Sequence, residues 1–151
     1  MVHPQALAMK LVSSFKNKEL MSISEYGCCA FSLLWYLGID QSDLDAVITV
    51  GDLIKRGALD DDCTVKWDAC CRALTGKGCT VDFVKINKID DINGRAIVKF
   101  TRTNKIGAPV GHWVGVENGK VAFNSLKVSR CVTEGVPTDM RIVRLEGVGR
   151  I

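Results

Sequence analysis

The sequence predicts an α+β fold in which N-terminal helices pack against a C-terminal antiparallel β-sheet. In the first half of the chain, apolar residues recur at the spacing of helices, and from Cys79 onward the period is that of strands. Runs of helices followed by runs of strands are typical of this fold class. Because 151 residues suffice for one sizeable core, we expect residues 1–151 to form a single domain.

The first two predicted helices flank a predicted loop. Residues 4–16 carry a loosely amphipathic stripe, and the proline at position 4 suits a first helical turn. Residues 20–27 are predicted to be a loop with a short extended piece. The central helix then covers residues 28–37, is too apolar for a surface helix, and ends at Gly38.

Two further helices are predicted before the strands begin. Ser42 or Asp43 can cap the third helix, which ends at residues 55–57, and Gly51 leaves open whether it splits in two. Thr64 or its neighbour is predicted to cap the fourth helix, which continues to residue 74. The acidic triplet 60–62 between them is interpreted as a solvated turn, since it lacks the alternating ligands of a calcium loop.

Five strands are predicted in the second half, and two of them form a hairpin. The dipeptide Asn118-Gly119 favours a tight turn, because both residues tolerate a positive φ. The predicted strands cover residues 79–86, 95–102, 112–116, 120–124 and 140–146.

Composition argues against several classes of partner. The apolar fraction is 47%, the net charge is only +3, and the densest basic cluster, residues 99–105, has three cations. We therefore expect no nucleic-acid partner. No run approaches the roughly 18 apolar residues of a membrane span.

The cysteine pattern predicts free thiols. Seven is an odd number, two pairs are adjacent in sequence, and no secretory signal precedes them. We expect a cytoplasmic protein with mostly reduced cysteines. No pair of Cys-x-x-Cys motifs indicates zinc, and no cofactor is implied.

The segment 26–37 is the strongest candidate for a reactive site. Gly27 is expected to turn the chain sharply into the central helix, with Cys28 at its N-terminus. The positive end of the helix dipole favours a thiolate there. The backbone N–H groups of the same turn are suited to hold an oxyanion.

The predicted hairpin supplies partners for this thiol. Pairing about the Asn118-Gly119 turn brings His112 close to residue 124 or 125, so Asn124 can orient the imidazole. If the central helix packs with its N-terminus at this end of the sheet, Cys28 meets His112. The three residues would then form a triad of nucleophile, general acid–base and orienting amide.

These residues carry a resemblance to papain-type cysteine peptidases. Residues 28–32, Cys-Cys-Ala-Phe-Ser, resemble the Cys-Trp-Ala-Phe-Ser run around the nucleophile of that family. Asn124-Ser125 resembles its Asn-Ser-Trp motif, and the segment 111–116 is similar to its histidine strand. The resemblance implies a papain-like fold and a cysteine peptidase or amidase acting on a peptide or protein substrate. Compact bacterial and phage members, including peptidase domains that process bacteriocin leaders, are the most similar in length.

The chain also departs from the papain-type pattern. No glutamine lies between Gln5 and Cys28, although the family uses one upstream glutamine in its oxyanion hole. Ser22 stands at the corresponding spacing and is the oxyanion-hole candidate. Cys29 is the alternative nucleophile; because helical neighbours point about 100° apart, only one of the two thiols can face His112.

Other functions stay open at this point. The missing glutamine suits a catalytically weak or inactive binding module, possibly phage-encoded, that keeps the cleft without the chemistry. A transferase with the same triad is a further alternative. The sequence leaves the substrate, the host and the oligomeric state open.

Overall fold

The computed structural model describes residues 1–150 and confirms the α+β class, with five helices preceding an antiparallel sheet and one short helix inserted before the fifth strand. The helices are α1 (Pro4–Ser14), α2 (Lys18–Tyr26), α3 (Cys28–Tyr36), α4 (Asp43–Lys55), α5 (Trp67–Thr75) and α6 (Arg130–Glu134). The strands are β1 (Cys79–Lys85), β2 (Arg95–Thr103), β3 (Pro109–Glu117), β4 (Lys120–Phe123), β5 (Val136–Leu145) and β6 (Gly149–Arg150).

The sheet runs in the order β1-β5-β2-β3-β4, and β6 pairs with the end of β5. The short strand β4 is therefore at the edge, and it pairs with β3 only between Gly115 and Glu117. The rest of β3 pairs with β2 on one side and has no strand on the other. This open stretch of β3 is where the candidate site forms.

Alternating side chains send the two faces of the sheet into separate cores. On β2, Ile97 belongs to the larger core that the helices cover, and its neighbour Val98 belongs to a smaller core on the opposite face. Cys131 of α6 closes that smaller core. The period of two in a strand produces this division.

Helix α3 lies at the centre of the larger core. Eight of its nine residues are buried, and the ninth, Trp35, lies flat against β3 because Gly115 has no side chain. A Cβ at position 115 would come within 2.3 Å of the Trp35 ring. Phe123 of β4 stacks on the same indole with ring centroids 6.2 Å apart.

The predicted loop at 20–27 is wrong, because residues 20–26 belong to helix α2 and Gly27 is its C-cap. Asn17 caps this helix by accepting a hydrogen bond from the Leu20 N–H at 3.0 Å. The helix continues almost directly into α3 through Gly27, whose φ of −73° is ordinary. Glycine is required there for close approach instead, since a Cβ would lie 2.5 Å from the Ile23 carbonyl oxygen.

The helix caps differ from the sequence prediction in one case. Ser42, the first of the two candidates, caps α4 through the Asp45 N–H at 3.1 Å, and α4 runs unbroken across Gly51. The predicted cap at Thr64 is wrong, because its hydroxyl donates to Asp62 at 2.7 Å and α5 begins only at Trp67.

The predicted hairpin turn is confirmed, whereas strand ends are less accurate. Asn118 and Gly119 adopt φ values of 50° and 81°, and the Asn118 side chain accepts a hydrogen bond from the Gly94 N–H. Strand β3 begins at Pro109 instead of the predicted His112, and β5 begins at Val136 instead of Met140. No signal in the sequence predicted α6 or β6. Within residues 1–150, no helix combines the length and apolarity that crossing a bilayer requires.

The contact between Gly115 and Trp35 gives a prediction about stability. Gly115→Ala should lower the free energy of unfolding by about 1–3 kcal/mol, because the stacked indole cannot move away from the new methyl group. Urea denaturation monitored by circular dichroism measures the change.

Gly111→Ala on the same strand is the matched control. A Cβ there would contact the Lys99 side chain, which can rotate towards solvent. The free energy of unfolding should therefore fall less than in Gly115→Ala. Equal losses in the two variants would contradict the proposed role of Trp35 as a fixed contact.

Candidate active site

Cys28 is the first residue of α3, and its thiol lies against the open edge of β3. The Trp113 N–H donates to the Cys28 sulfur at 3.5 Å. The Ser32 hydroxyl, one turn further along α3, donates to the Cys28 carbonyl at 2.8 Å and lies 3.4 Å from the Trp113 carbonyl. Because β4 does not reach Trp113, α3 supplies the partners that a neighbouring strand would otherwise provide.

Burial dominates the acidity of the Cys28 thiol. Loss of hydration raises the pKa of Cys28, and hydrogen bonds from the N–H groups of Trp113, Cys29 and Cys28 itself offset part of that rise. The helix dipole alone led us to expect the opposite direction. The protonated thiol is therefore favoured in the resting site.

His112 and Asn124 contact each other, as the hairpin geometry predicts. The His112 Nε2 and the Asn124 Oδ1 are 2.7 Å apart. The Leu126 N–H donates to the same Oδ1 at 3.0 Å, which identifies that atom as the amide oxygen. Since an oxygen accepts, Nε2 carries the hydrogen, and in the neutral ring the lone pair is on Nδ1.

His112 is buried, which keeps its ring neutral. Burial lowers the pKa of His112, and the hydrogen bond to Asn124 only partly opposes this effect. Nδ1 accepts no hydrogen bond from any group in the described part of the chain. It is therefore available to take up a proton.

The structure brings Cys28 close to His112 without joining them. Within the described residues, no hydrogen bond links the Cys28 thiol to the imidazole. The sulfur is 3.5 Å from the Trp113 nitrogen, so covalent geometry sets it at most about 6 Å from the His112 Cα. The imidazole itself alternates with Trp113 on β3 and pairs in register with Phe100, so its side chain belongs to the other face of the strand. Catalytic hydrogen bonds are often long before substrate binds.

A network from the N-terminus holds the Asn124–Ser125 segment, and sequence reasoning missed it. The N–H groups of Gln5 and Ala6 donate to the Ser125 carbonyl at 3.0 and 3.2 Å. The Ser125 hydroxyl donates to the Gln5 side chain at 2.7 Å, and His3 lies 3.1 Å from the Asn124 carbonyl. The only available signal was Pro4, which begins α1 and leaves the next N–H groups without helical partners.

A cavity of about 610 Å³ opens beside Cys28. Trp113 of β3 lines it, whereas His112, whose side chain alternates with that of Trp113, does not. The lining residues are Glu25, Tyr26, Cys28, Cys29, Asp62, Cys63, Thr64, Val65, Trp67, Phe83, Lys99, Gly111, Trp113 and Arg141.

The two secondary candidates have different surroundings. Cys29 lines the same cavity, and burial raises its pKa well above the ordinary value. Ser22 does not line the cavity; its hydroxyl donates to the Asp61 carbonyl and lies 3.8 Å from the Cys63 sulfur. The Ser22 hydroxyl therefore donates its hydrogen to Asp61 and not to an oxyanion at Cys28.

Four of the five remaining cysteines are buried and Cys79 is half-buried. All seven thiols are free, and the Cys70 sulfur donates to the Ala58 carbonyl in the helical core. In the described portion of the chain, no group of three or more His, Cys, Asp or Glu side chains is arranged to hold a metal ion.

Comparison with known proteins adds no relative. No protein-family model matches the chain, and neither a curated protein nor a solved structure matches it.

The N-terminal network gives a second prediction. Gln5→Leu should cost about 1–3 kcal/mol of unfolding free energy, because the buried Ser125 hydroxyl and Ser24 carbonyl both lose their partner. It should also shift the His112 imidazole resonances in NMR spectra, since Asn124 is no longer held. Gln41→Leu, which breaks a half-buried contact with Thr49, is the control and should leave those resonances in place.

Buried thiols give a third prediction, on alkaline stability. Burial raises the pKa of Cys63 and of Cys70 from 9.0 to about 11. Between these values the unfolded chain releases protons that the folded chain keeps. The free energy of unfolding should therefore fall as pH rises from 9 to 11, by up to about 1.4 kcal/mol per pH unit for each thiol.

Urea denaturation at several pH values under reducing conditions measures this slope. A Cys63→Ala, Cys70→Ala double variant should have a shallower slope than the parent chain, although lysines titrate in both. Identical slopes would mean that these thiols are not protected from ionisation.

Proposed function

We propose that the chain is a papain-like cysteine peptidase or amidase that cleaves a peptide or isopeptide bond through Cys28, His112 and Asn124. The observation that supports this most is the orientation of the imidazole. The amide oxygen of Asn124 binds Nε2–H and leaves the basic Nδ1 without a hydrogen-bond donor, on a residue whose Cα lies at most about 6 Å from the Cys28 sulfur. The resemblance to papain-type enzymes implies the same arrangement, in which an asparagine side chain orients the catalytic histidine.

The proposed reaction starts from neutral partners. His112 accepts the Cys28 proton at Nδ1 as the sulfur attacks the substrate carbonyl carbon, and the tetrahedral oxyanion forms. The imidazolium then donates that proton to the leaving nitrogen, the C–N bond breaks, and a thioester remains. Water, deprotonated by His112, attacks the thioester and releases the carboxylic product and the thiol.

Backbone groups are the proposed oxyanion donors. The N–H groups of Cys28 and Cys29 at the start of α3 already interact with the sulfur. They are suited to a negative charge that develops next to it. With the Ser22 hydroxyl engaged at Asp61, no side-chain donor assists them from that position. Loss of one such donor typically lowers the rate by about a hundredfold or more.

A non-catalytic binding module is the second candidate. Two observations favour it: burial keeps Cys28 protonated, and His112 does not line the cavity that a substrate would enter. In this alternative the cavity binds a peptide, and the triad residues are structural.

Covalent labelling with a peptidyl epoxide tests the proposed function, with mass spectrometry to locate the adduct. We expect labelling at Cys28, its loss in Cys28→Ala, and a decrease of about a hundredfold or more in His112→Ala. Cleavage of a fluorogenic peptide library should show the same dependence. Labelling should decline only below pH 6.5, because burial holds the His112 pKa under its ordinary value and protonation removes the base.

Cys29→Ala is the matched control, since Cys29 lines the same cavity and should not be required. An adduct on Cys29 instead would mean that the nucleophile is assigned to the wrong thiol. If no cysteine reacts faster than in the unfolded chain, the peptidase proposal fails and the binding module is favoured.

A further inference from the structure

The cations and the carboxylates that line the cavity lie on different walls. Lys99 of β2 and Arg141 of β5 project from the sheet. Glu25 at the end of α2 and Asp62 in the loop before α5 line the helical side. Cys28 lines the same cavity. A ligand bound there meets cations from the sheet and carboxylates from the helical side.

Neither cation of the sheet wall has a carboxylate in direct contact. Within residues 1–150, no carboxylate forms an ion pair with Lys99 or Arg141. Asp139 pairs with Lys99 in register but is hydrogen-bonded to Lys85 at 2.5 Å and to Thr138 at 2.8 Å. The hydrogen bond from Lys85, with a smaller contribution from the charge of Arg141, lowers the pKa of Asp139. The two positive charges thus remain available to a ligand.

Aromatic rings hold these cations at the cavity wall. The Arg141 guanidinium lies 4.3 Å from the Phe83 ring centroid and 5.0 Å from that of Trp113. The Lys99 ammonium lies 5.9 Å from the Trp113 centroid. Such cation–π contacts orient a charge without neutralising it.

Gly111 creates the space that Lys99 occupies. A Cβ at position 111 would lie 2.4 Å from the Lys99 Cε, so the lysine stem crosses β3 directly over the glycine. Phe83, which is 64% exposed, adds an uncovered apolar surface next to Arg141. The sheet wall therefore combines two oriented cations with aromatic surface, a combination suited to an acidic segment of a peptide.

We propose that Lys99 and Arg141 bind a carboxylate of a peptide ligand in this cavity, beside Cys28. That the ligand is a peptide rests on the proposed function, whereas the attraction for a carboxylate rests on the charges alone. The bound carboxylate belongs either to an acidic side chain or to the C-terminus of the peptide. Glu25 and Asp62 repel a second acidic group on the opposite side, so one carboxylate next to a neutral or basic residue fits best.

Peptide binding to the Cys28→Ala variant tests this inference without turnover. The probes are acetyl-Gly-Glu-Gly-amide, its Gln counterpart, and acetyl-Gly-Gln-Gly with a free carboxylate. NMR of the indole N–H signals reports binding, since Trp67 and Trp113 line the cavity and Trp35 does not. We expect the Glu peptide or the free acid to bind at least about fivefold more tightly than the neutral peptide.

Variants of the sheet wall complete the test. Lys99→Gln and Arg141→Gln should each remove most of the preference for acidic peptides. Lys99→Arg should keep it, and Lys120→Gln on the exposed part of β4 should have no effect.

The preference for acidic over neutral peptides should also weaken as the salt concentration rises from 50 to 500 mM, because ions screen half-exposed charges. Preference for the Glu peptide alone identifies a side-chain carboxylate as the ligand, and preference for the free acid alone identifies a C-terminal one.

The two proposals fail in different ways. Equal binding of acidic and neutral peptides overturns the carboxylate site, even if the parent chain cleaves both. Selective binding of acidic peptides with no cleavage by the parent chain overturns the peptidase and leaves the carboxylate site intact.

Discussion

The candidate site depends on the backbone of one residue, Trp113, at the edge of β3. Strand β4 ends before it reaches this residue, so its N–H and C=O have no partner within the sheet. The N–H donates to the Cys28 sulfur at 3.5 Å, and the C=O lies 3.4 Å from the Ser32 hydroxyl, whose shorter hydrogen bond is to the Cys28 carbonyl at 2.8 Å. Because buried backbone groups are costly to leave unpaired, this contact fixes the start of α3 against the strand that carries His112.

The same contact sets the chemical state of the thiol. Docking α3 on the sheet removes water from Cys28, and the three N–H groups that surround the sulfur do not fully compensate for the lost hydration. Burial acts on His112 in the complementary direction, favouring the neutral imidazole. Burial therefore favours a neutral thiol at Cys28 and a neutral imidazole at His112. In the proposed reaction, charge separates only when a substrate carbonyl accepts it, and Lys99 and Arg141 line the same cavity as the thiol.

Distant parts of the chain cooperate to hold the imidazole. The side chains of Gln5 and Ser125 are 120 residues apart in sequence and share a buried hydrogen bond. The start of α1 thereby holds the segment whose amide orients His112. Residues near the N-terminus therefore hold the segment that follows β4 in place. They support the site without lining the cavity.

Local signals in the sequence determined the fold class, the apolar central helix beginning at Cys28 and the Asn118-Gly119 turn that brings His112 to Asn124, because periodicity and turn chemistry act over a few residues. The sequence did not reveal α2, whose short mixed pattern gains its helical form from the Asn17 cap and packing against its neighbours. Only the tertiary structure decided that Gly27 allows close approach to Ile23, that Ser22 is hydrogen-bonded to Asp61, and that Gln5 supports the Asn124 segment. It also decided that Lys99 and Arg141 line the same cavity as Cys28. Each of these depends on which surfaces meet when the helices cover the sheet, and burial, which reversed the expected acidity of Cys28, exists only after they have met.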